Sequence, residues 1–223
     1  MNATTETHPK LKKIEEDFRN FIENEEHPCI MAKSIIKMEN YRLGVYDDME
    51  DPSELQQLLS DLKDYLENYD FKGNNFESFL AVFPKNTFDD EISFEKALWN
   101  SLQKLHELDD QEWDPRVSDD PENPNFSFSL GGRAFYIIGM HSKSSRLARR
   151  APYPTFVFNL HHQFEKLREM GTYQTVRDTI RQNDAVLQGE INPVLRDFGE
   201  DSEAKQYSGR NVDKNWKCPF HHS

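Results

Sequence analysis

The chain has 223 residues, a formal charge of −13, 36% hydrophobic and 30% charged residues, and 16 phenylalanines. That length suits one domain, taken here as 1–223, and the aromatics suffice for a core, which excludes disorder of the whole chain. The acidic balance repels phosphate backbones and anionic headgroups, so neither nucleic acid nor a membrane surface is expected as a partner.

In chain order, residues 1–9 read as a polar, loose start. From Lys10 to Glu25, Leu11, Ile14, Phe18, Phe21 and Ile22 have helical spacing, and His27-Pro28-Cys29 ends that helix because proline restricts the residue before it. Ile30–Ser34 is expected as a short buried strand or a turn, and Tyr41–Tyr46 alternates as a strand. Asp51-Pro52-Ser53-Glu54 is a helix start, followed by one apolar face of Leu55, Leu58, Leu59, Leu62, Tyr65 and Leu66. Phe76–Phe83 is a strand and Phe88–Leu108 a second long helix. Asp109–Asn125, rich in Asp, Pro and Asn, is an exposed loop or a lid. Gly131-Gly132 joins Phe126–Leu130 to Arg133–Ile138 as a hairpin. Thr155–Phe158 is a further strand. His161–Met170 is a helix closed by Gly171, and Thr172–Gln188 is another. Gly189–Ser223 is unperiodic but aromatic, a tail expected to wrap the core and close a pocket. The order predicts an α+β fold: a central mixed or antiparallel sheet with helices packed over it.

The opening MNATTETHPKLKK lacks the apolar run of a signal peptide, and no stretch approaches the roughly 18 apolar residues of a membrane helix. Two cysteines, Cys29 and Cys218, do not make a disulfide framework. A soluble cytoplasmic protein with free thiols is expected.

Chemistry concentrates in Phe135–Arg168. Two strands each run into histidine, one at Gly139-Met140-His141 and one at Asn159-Leu160-His161-His162, with a Ser- and Arg-rich loop between them. Histidine at a strand end can ligate a metal or haem iron, serve as a base, or simply be a satisfied, partly buried side chain. Arginine pairs bidentately with carboxylates, so Arg146, Arg149 and Arg150 are candidates to hold an anion, unless they only pair with the abundant Asp and Glu on the surface. His161 and His162 are adjacent and point in different directions, so at most one faces a given site. Cys218 and His221 offer two ligands, too few for a zinc site. No nucleophile elbow, phosphate loop, flavin or nicotinamide motif is visible.

Several segments in this order resemble the YqcI/YcgG family. They are His27-Pro28-Cys29; Gly139-Met140-His141 with Ser144-Ser145-Arg146; Phe158-Asn159-Leu160-His161 with Gln163-Phe164-Glu165; Asn192-Pro193; Ser202-Glu203-Ala204 through Tyr207-Ser208-Gly209-Arg210; and Trp216-Lys217-Cys218-Pro219-Phe220. The matches run from about residue 27 to 220. The resemblance implies a haem b-dependent oxygenase that hydroxylates a guanidino or amine nitrogen of an amino-acid-like substrate such as arginine or a derivative. It implies O2 and an external electron donor as partners, with a homodimer as one possible assembly. It puts His141 first and His161 second as axial ligand, with Cys218 or Cys29 as thiolate alternatives. Ser144, Ser145, Arg146, Arg149 and Arg150 are then candidates for the haem propionates. Gln163, Glu203, Tyr207 and Ser208 are candidates to position oxygen or substrate, and Glu203 or Glu165 to pair with a guanidinium. A haem sensor or carrier without turnover, and a protein that binds no haem, are the competing readings.

Overall fold

The structure, a computed structural model, describes residues 4–222. Its elements are α1 (Thr4–Glu23), α2 (Ile30–Lys37), β1 (Tyr41–Val45), α3 (Pro52–Asn68), β2 (Ser78–Val82), α4 (Glu91–Leu108), β3 (Phe128–Leu130), β4 (Arg133–Met140), β5 (Thr155–Leu160), α5 (His161–Glu169), α6 (Tyr173–Gln188) and α7 (Ala204–Tyr207), with a 3-10 turn at Leu147–Arg149. The strands form one mixed sheet in the order β1-β2-β5-β4-β3. Only β1 and β2 run parallel; the other pairs are antiparallel. The α+β fold with helices over a mixed sheet is as the sequence led one to expect.

Local chemistry explains most boundaries. Asp51 caps α3 by accepting from Ser53 N and Glu54 N at 2.8 and 3.2 Å, with Pro52 at the first helical position. Asp90 caps α4 through Ser93 N at 2.7 Å. Gly171 and Gly189, at φ 69° and 87°, end α5 and α6 in the left-handed region that glycine tolerates.

Three local expectations change. Helix α1 begins at Thr4, not after a loose 1–9, and residues 1–3 lie outside the described residues. Ile30–Ser34 is helical, not a strand or turn, because Cys29 caps α2 with its Sγ accepting from Ala32 N at 3.4 Å. The apolar spacing Met31, Ala32, Ile35 and Ile36 then gives α2 one buried-facing side. The loop Asp109–Asn125 is tied down: Asp109 Oδ2 accepts from Gly131 N at 2.6 Å. Asp114, 1% exposed, accepts from Ala134 N at 3.0 Å, and Trp113 packs on Phe126 and Phe220.

Strand alternation divides the molecule into two layers. On one face Phe79, Phe135, Phe156 and Phe158, all buried, meet the leucines of α3 and the apolar side of α4. Phe158 lies edge-on to Phe135 and Phe79, with ring centroids 5.8 and 6.3 Å apart. Gly139 is on this face, where a Cβ would fall 2.6 Å from Leu98 and 2.8 Å from the Tyr207 carbonyl, so the close approach of α4 and the tail requires glycine. The other face carries the intervening residues: Ile138 sits opposite Val157, and Val157 opposite Leu80. Helices α1, α2, α5 and α6 and the start of the tail surround that face without filling it.

Candidate functional site

The unfilled space is a cavity of about 340 Å³ between the sheet and those helices, a size in the ordinary range for cofactor and ligand sites. Its floor is the even-numbered face of β4 with its neighbours: Tyr136, Ile138 and Met140, then Val157, Asn159 and Leu80. Aliphatic side chains dominate the walls, among them Ile35 and Ile36 of α2 and Val176 and Ile180 of α6. Polar groups are few and specific. Ser78 Oγ donates to Asn159 Oδ1 at 2.7 Å, and Tyr136 donates to Gln206 Oε1 at 2.9 Å.

Two buried histidines line this cavity, and each has an unpartnered ring nitrogen. His161 opens α5 directly after β5, is 5% exposed, and packs against Phe198 with ring centroids 4.5 Å apart. Its Nε2 lies 3.3 Å from Glu165 Oε1, one turn on, while Nδ1 is buried with no partner. A carboxylate beside Nε2 favours the ring proton there and leaves Nδ1 its lone pair, the arrangement by which an outer carboxylate orients a metal-ligating imidazole, although the same Glu165 oxygen also accepts from Arg168. Burial lowers the His161 pKa and Glu165 opposes it. His27, 7% exposed, faces the cavity from the α1–α2 connection. Its Nδ1 accepts from Cys29 N at 3.4 Å and its Nε2 has no partner. Burial pushes its pKa down to about 4.

The remaining cavity charge is mostly guanidinium, from Arg146, Arg149, Arg168, Arg177, Arg181 and Arg196. Arg146 pairs with Asp184, Arg168 with Glu165, and Arg177 and Arg181 share Asp197. Glu203 is also in the lining, 6% exposed, with the Tyr207 hydroxyl 3.3 Å from its Oε2. Burial raises its pKa to about 8, against Ser127, Tyr207 and Arg168, which favour the ionised form.

That shift has a testable consequence. The unfolded carboxyl ionises near its ordinary 4.5, while the folded one keeps its proton to about 8. Between those values folding takes up a proton, so this group's contribution to stability falls as pH rises and is flat above about 8. Urea unfolding of the wild type and Glu203→Gln at pH 5 and pH 8 is expected to show the variant gaining relative stability at the higher pH. Parallel pH dependence of the two proteins would mean that Glu203 is ionised in the folded state.

Of the residues singled out in the sequence, the fold brings His161, Arg146, Arg149, Glu203 and Cys29 to the cavity. It leaves His141 elsewhere. His141 continues the odd-numbered face of β4 and stacks on Phe94 of α4 at 4.3 Å, on the side away from the cavity, with Nδ1 unpartnered. Ser144 Oγ accepts from Arg146 N at 3.2 Å, Ser145 bonds Glu91, and Arg150 donates to the Ser144 carbonyl at 2.9 Å. Gln163 spends both amide ends on the Glu77 backbone, at 2.6 and 3.1 Å. Tyr207 and Ser208 are buried beyond the lining, and Ser208 donates to Glu95 at 2.8 Å. His162 lies 3.1 Å from the Phe71 carbonyl. Cys218 is buried in the α3–α4 core, where burial pushes its thiol up to about 12, and burial also raises the Cys29 thiol. His221 and His222 are exposed at the end of the tail. Among the described residues no three His, Cys, Asp or Glu side chains gather into a metal cluster. The loop Asp109–Asn125 contributes nothing to the lining.

The family model described as YqcI/YcgG family matches residues 18–221. The chain belongs to the YqcI/YcgG family. No curated protein and no solved structure matches it. In this YqcI/YcgG chain the matched region takes in every sheet strand, both cavity histidines and all six cavity arginines. Sequence reading of this family member missed the α6 contribution, Arg177, Arg181 and Asp184, because those residues look like an ordinary solvated helix face. It also gave His27 no role. Its position between a helix end and Pro28-Cys29, where the chain must turn inward, was the available signal.

Proposed function

We propose that the cavity holds haem b, whose iron His161 would bind. On that reading the protein hydroxylates a nitrogen of an amino-acid-like substrate such as arginine or a derivative, with O2 and electrons from an external donor. The observation that carries this reading is His161 itself: a buried imidazole at an apolar cavity, with one nitrogen against Glu165 and the other unpartnered. The residues present fit the group. Aliphatic walls suit the porphyrin, and the arginines suit its propionates. Glu165 supplies the negative partner that raises the electron donation of a histidine ligand.

Bound there, the haem iron would supply the reductive activation of oxygen. The protein's part is to hold the ligand imidazole, exclude water with its aliphatic walls, and place the substrate nitrogen. Glu203, kept neutral near pH 7, serves this reading as a hydrogen-bond donor or acceptor rather than as a counter-charge for a guanidinium. No helix among the described residues is long and apolar enough to cross a membrane, and we place the protein in the cytoplasm with its two thiols free.

The deciding measurement is the absorption spectrum of protein produced with haem precursor, recorded oxidised and then reduced under carbon monoxide. A Soret band that shifts to the position of a histidine-ligated carbonyl supports the reading. A protein that takes up no haem sinks it. Haem binding without turnover of arginine or related guanidines and amines leaves a sensor or carrier.

A further inference from the structure

We infer that Arg149 is the seat of a ligand carboxylate inside the cavity, with His27 as a second donor to the same group. Arg149 and the exposed Arg196 are the two arginines of the lining that, among the described residues, bond only to carbonyls and to no carboxylate. Its NH1 donates to the Gly139 carbonyl at 3.1 Å and its NH2 to the Gln206 carbonyl at 3.4 Å, and it pairs with no carboxylate among the described residues. A guanidinium has five N–H donors, so two backbone carbonyls and the nearby Tyr136 hydroxyl leave it charged with donors to spare. Arg149 is half-buried, and a guanidinium at a cavity wall with no carboxylate partner is open to bidentate pairing with an anion there. Burial depresses the Arg149 pKa, and the groups that oppose this, Tyr136, Asp184 and Cys29, are its neighbours.

The surroundings point the same way. Asp184 is occupied by Arg146, and Asp197 by Arg177 and Arg181. Arg168 is likewise taken by Glu165, and Arg146 has Glu190 as a second, exposed partner, so of the six arginines in the lining only Arg149 and Arg196 are left without a carboxylate among the described residues. Cys29, two residues after His27, borders Arg149. Because His27 Nδ1 accepts from the Cys29 amide, the neutral ring carries its proton on Nε2, which is buried at the cavity, makes no full hydrogen bond, and has the backbone of Ala148, next to Arg149, as its nearest acceptor. Guanidinium and imidazole N–H donors at one end of an apolar cavity recognise a carboxylate and reject its neutral counterpart.

His161 stands at the other end. It follows β5, whose last residue Leu160 pairs with Phe135 near the start of β4. The Pro28 carbonyl is held instead by Asn183 of α6 at 3.2 Å, beside Asp184 and the Arg146–Arg149 turn that follows β4. Two carboxylates have the chemistry to reach this seat: a haem propionate and the carboxylate of an amino-acid substrate. The inference rests on the proposed function only for the choice of these two probes.

The test compares each acid with its neutral counterpart, on wild type and on Arg149→Gln. Haem and haem dimethyl ester are titrated into the apoprotein by tryptophan fluorescence quenching. L-arginine and its decarboxylated analogue agmatine are titrated by calorimetry into the protein as purified. A propionate seat predicts that wild type prefers haem to its diester by about tenfold or more and that the variant loses this preference. A substrate seat predicts the same pattern for L-arginine over agmatine, with haem unaffected. That second result stands even if the protein binds no haem, so it separates this inference from the haem reading. Should Arg149→Gln fail to fold, the wild-type preference together with a His27→Phe variant, expected to narrow it, decides the matter. A wild type with no preference for the acid in either pair, whether both members bind or neither does, overturns the inference and leaves Arg149 as a brace between two carbonyls.

Discussion

Haem affinity is expected to fall by about 100-fold or more in His161→Ala, with partial recovery when imidazole is added. The outer partner of a ligating histidine alone is worth about 10 to 100-fold in metal affinity, so the ligand itself must be worth at least the upper end of that range. Glu165→Gln, which keeps the shape but removes the charge beside Nε2, is expected to cost about tenfold on the same scale. His141→Ala is the control. Its ring stacks on Phe94 on the far side of the sheet, so the variant is expected to lose packing and melt earlier while its haem spectrum stays that of the wild type. Soret titrations of the three variants separate the cases. Retention of the wild-type band by His161→Ala, or its loss in His141→Ala, would move the ligand across the sheet and refute the assignment.

The largest expected effect on stability comes from Glu95→Ala. Glu95 sits on α4 with 10% of its side chain exposed, and it gathers the end of the chain. It accepts from Ser208 Oγ at 2.8 Å, from Arg210 Nε and NH2 at 2.9 and 2.7 Å, and from Trp216 Nε1 at 3.1 Å. Removing the carboxylate strands three donors at once, one of them a guanidinium. A destabilisation of about 3 kcal/mol follows from breaking such a pair, or roughly 6 to 12 °C in Tm for a chain of this length. Because these bonds pin the tail to α4, trypsin is expected to cut after Arg210, Lys214 or Lys217 well before the core is digested. Glu95→Gln, which keeps some acceptor capacity, is expected to fall between. A variant whose melting and cleavage match the wild type would show that the aromatic contacts of Trp216 and Phe220 hold the tail without Glu95.

Much of the fold was legible because its signals are local. The leucines of α3 repeat at helical spacing, Asp51 and Asp90 are caps that need only the next three residues, and Gly131-Gly132 marks the hairpin by conformational freedom. Helix α2 was not legible, since its N-cap is a cysteine, a residue type that seldom signals a helix start. The loop Asp109–Asn125 reads as solvated by composition, yet Asp114 is buried through bonds to β4 residues that no local pattern reveals. Glu95 likewise looks like one of many carboxylates on a helix until the tail returns to it.

The sequence by itself determined the kinds of elements apart from α2, the α+β class, the family, and the segments in which the chemistry concentrates. Only the tertiary structure decided which of those residues meet. His141 and His161 look equivalent in the chain, each at the end of an apolar strand. One extends the odd-numbered face of β4 toward α4, while the other turns into α5 over the cavity. Which face becomes the cavity depends on strand pairing between distant segments, such as Ser78 with Asn159, 81 positions apart, and on which helices pack on each side. Side-chain alternation is a local property, but the meaning of a face is set by what covers it, and that is a long-range property of the folded chain.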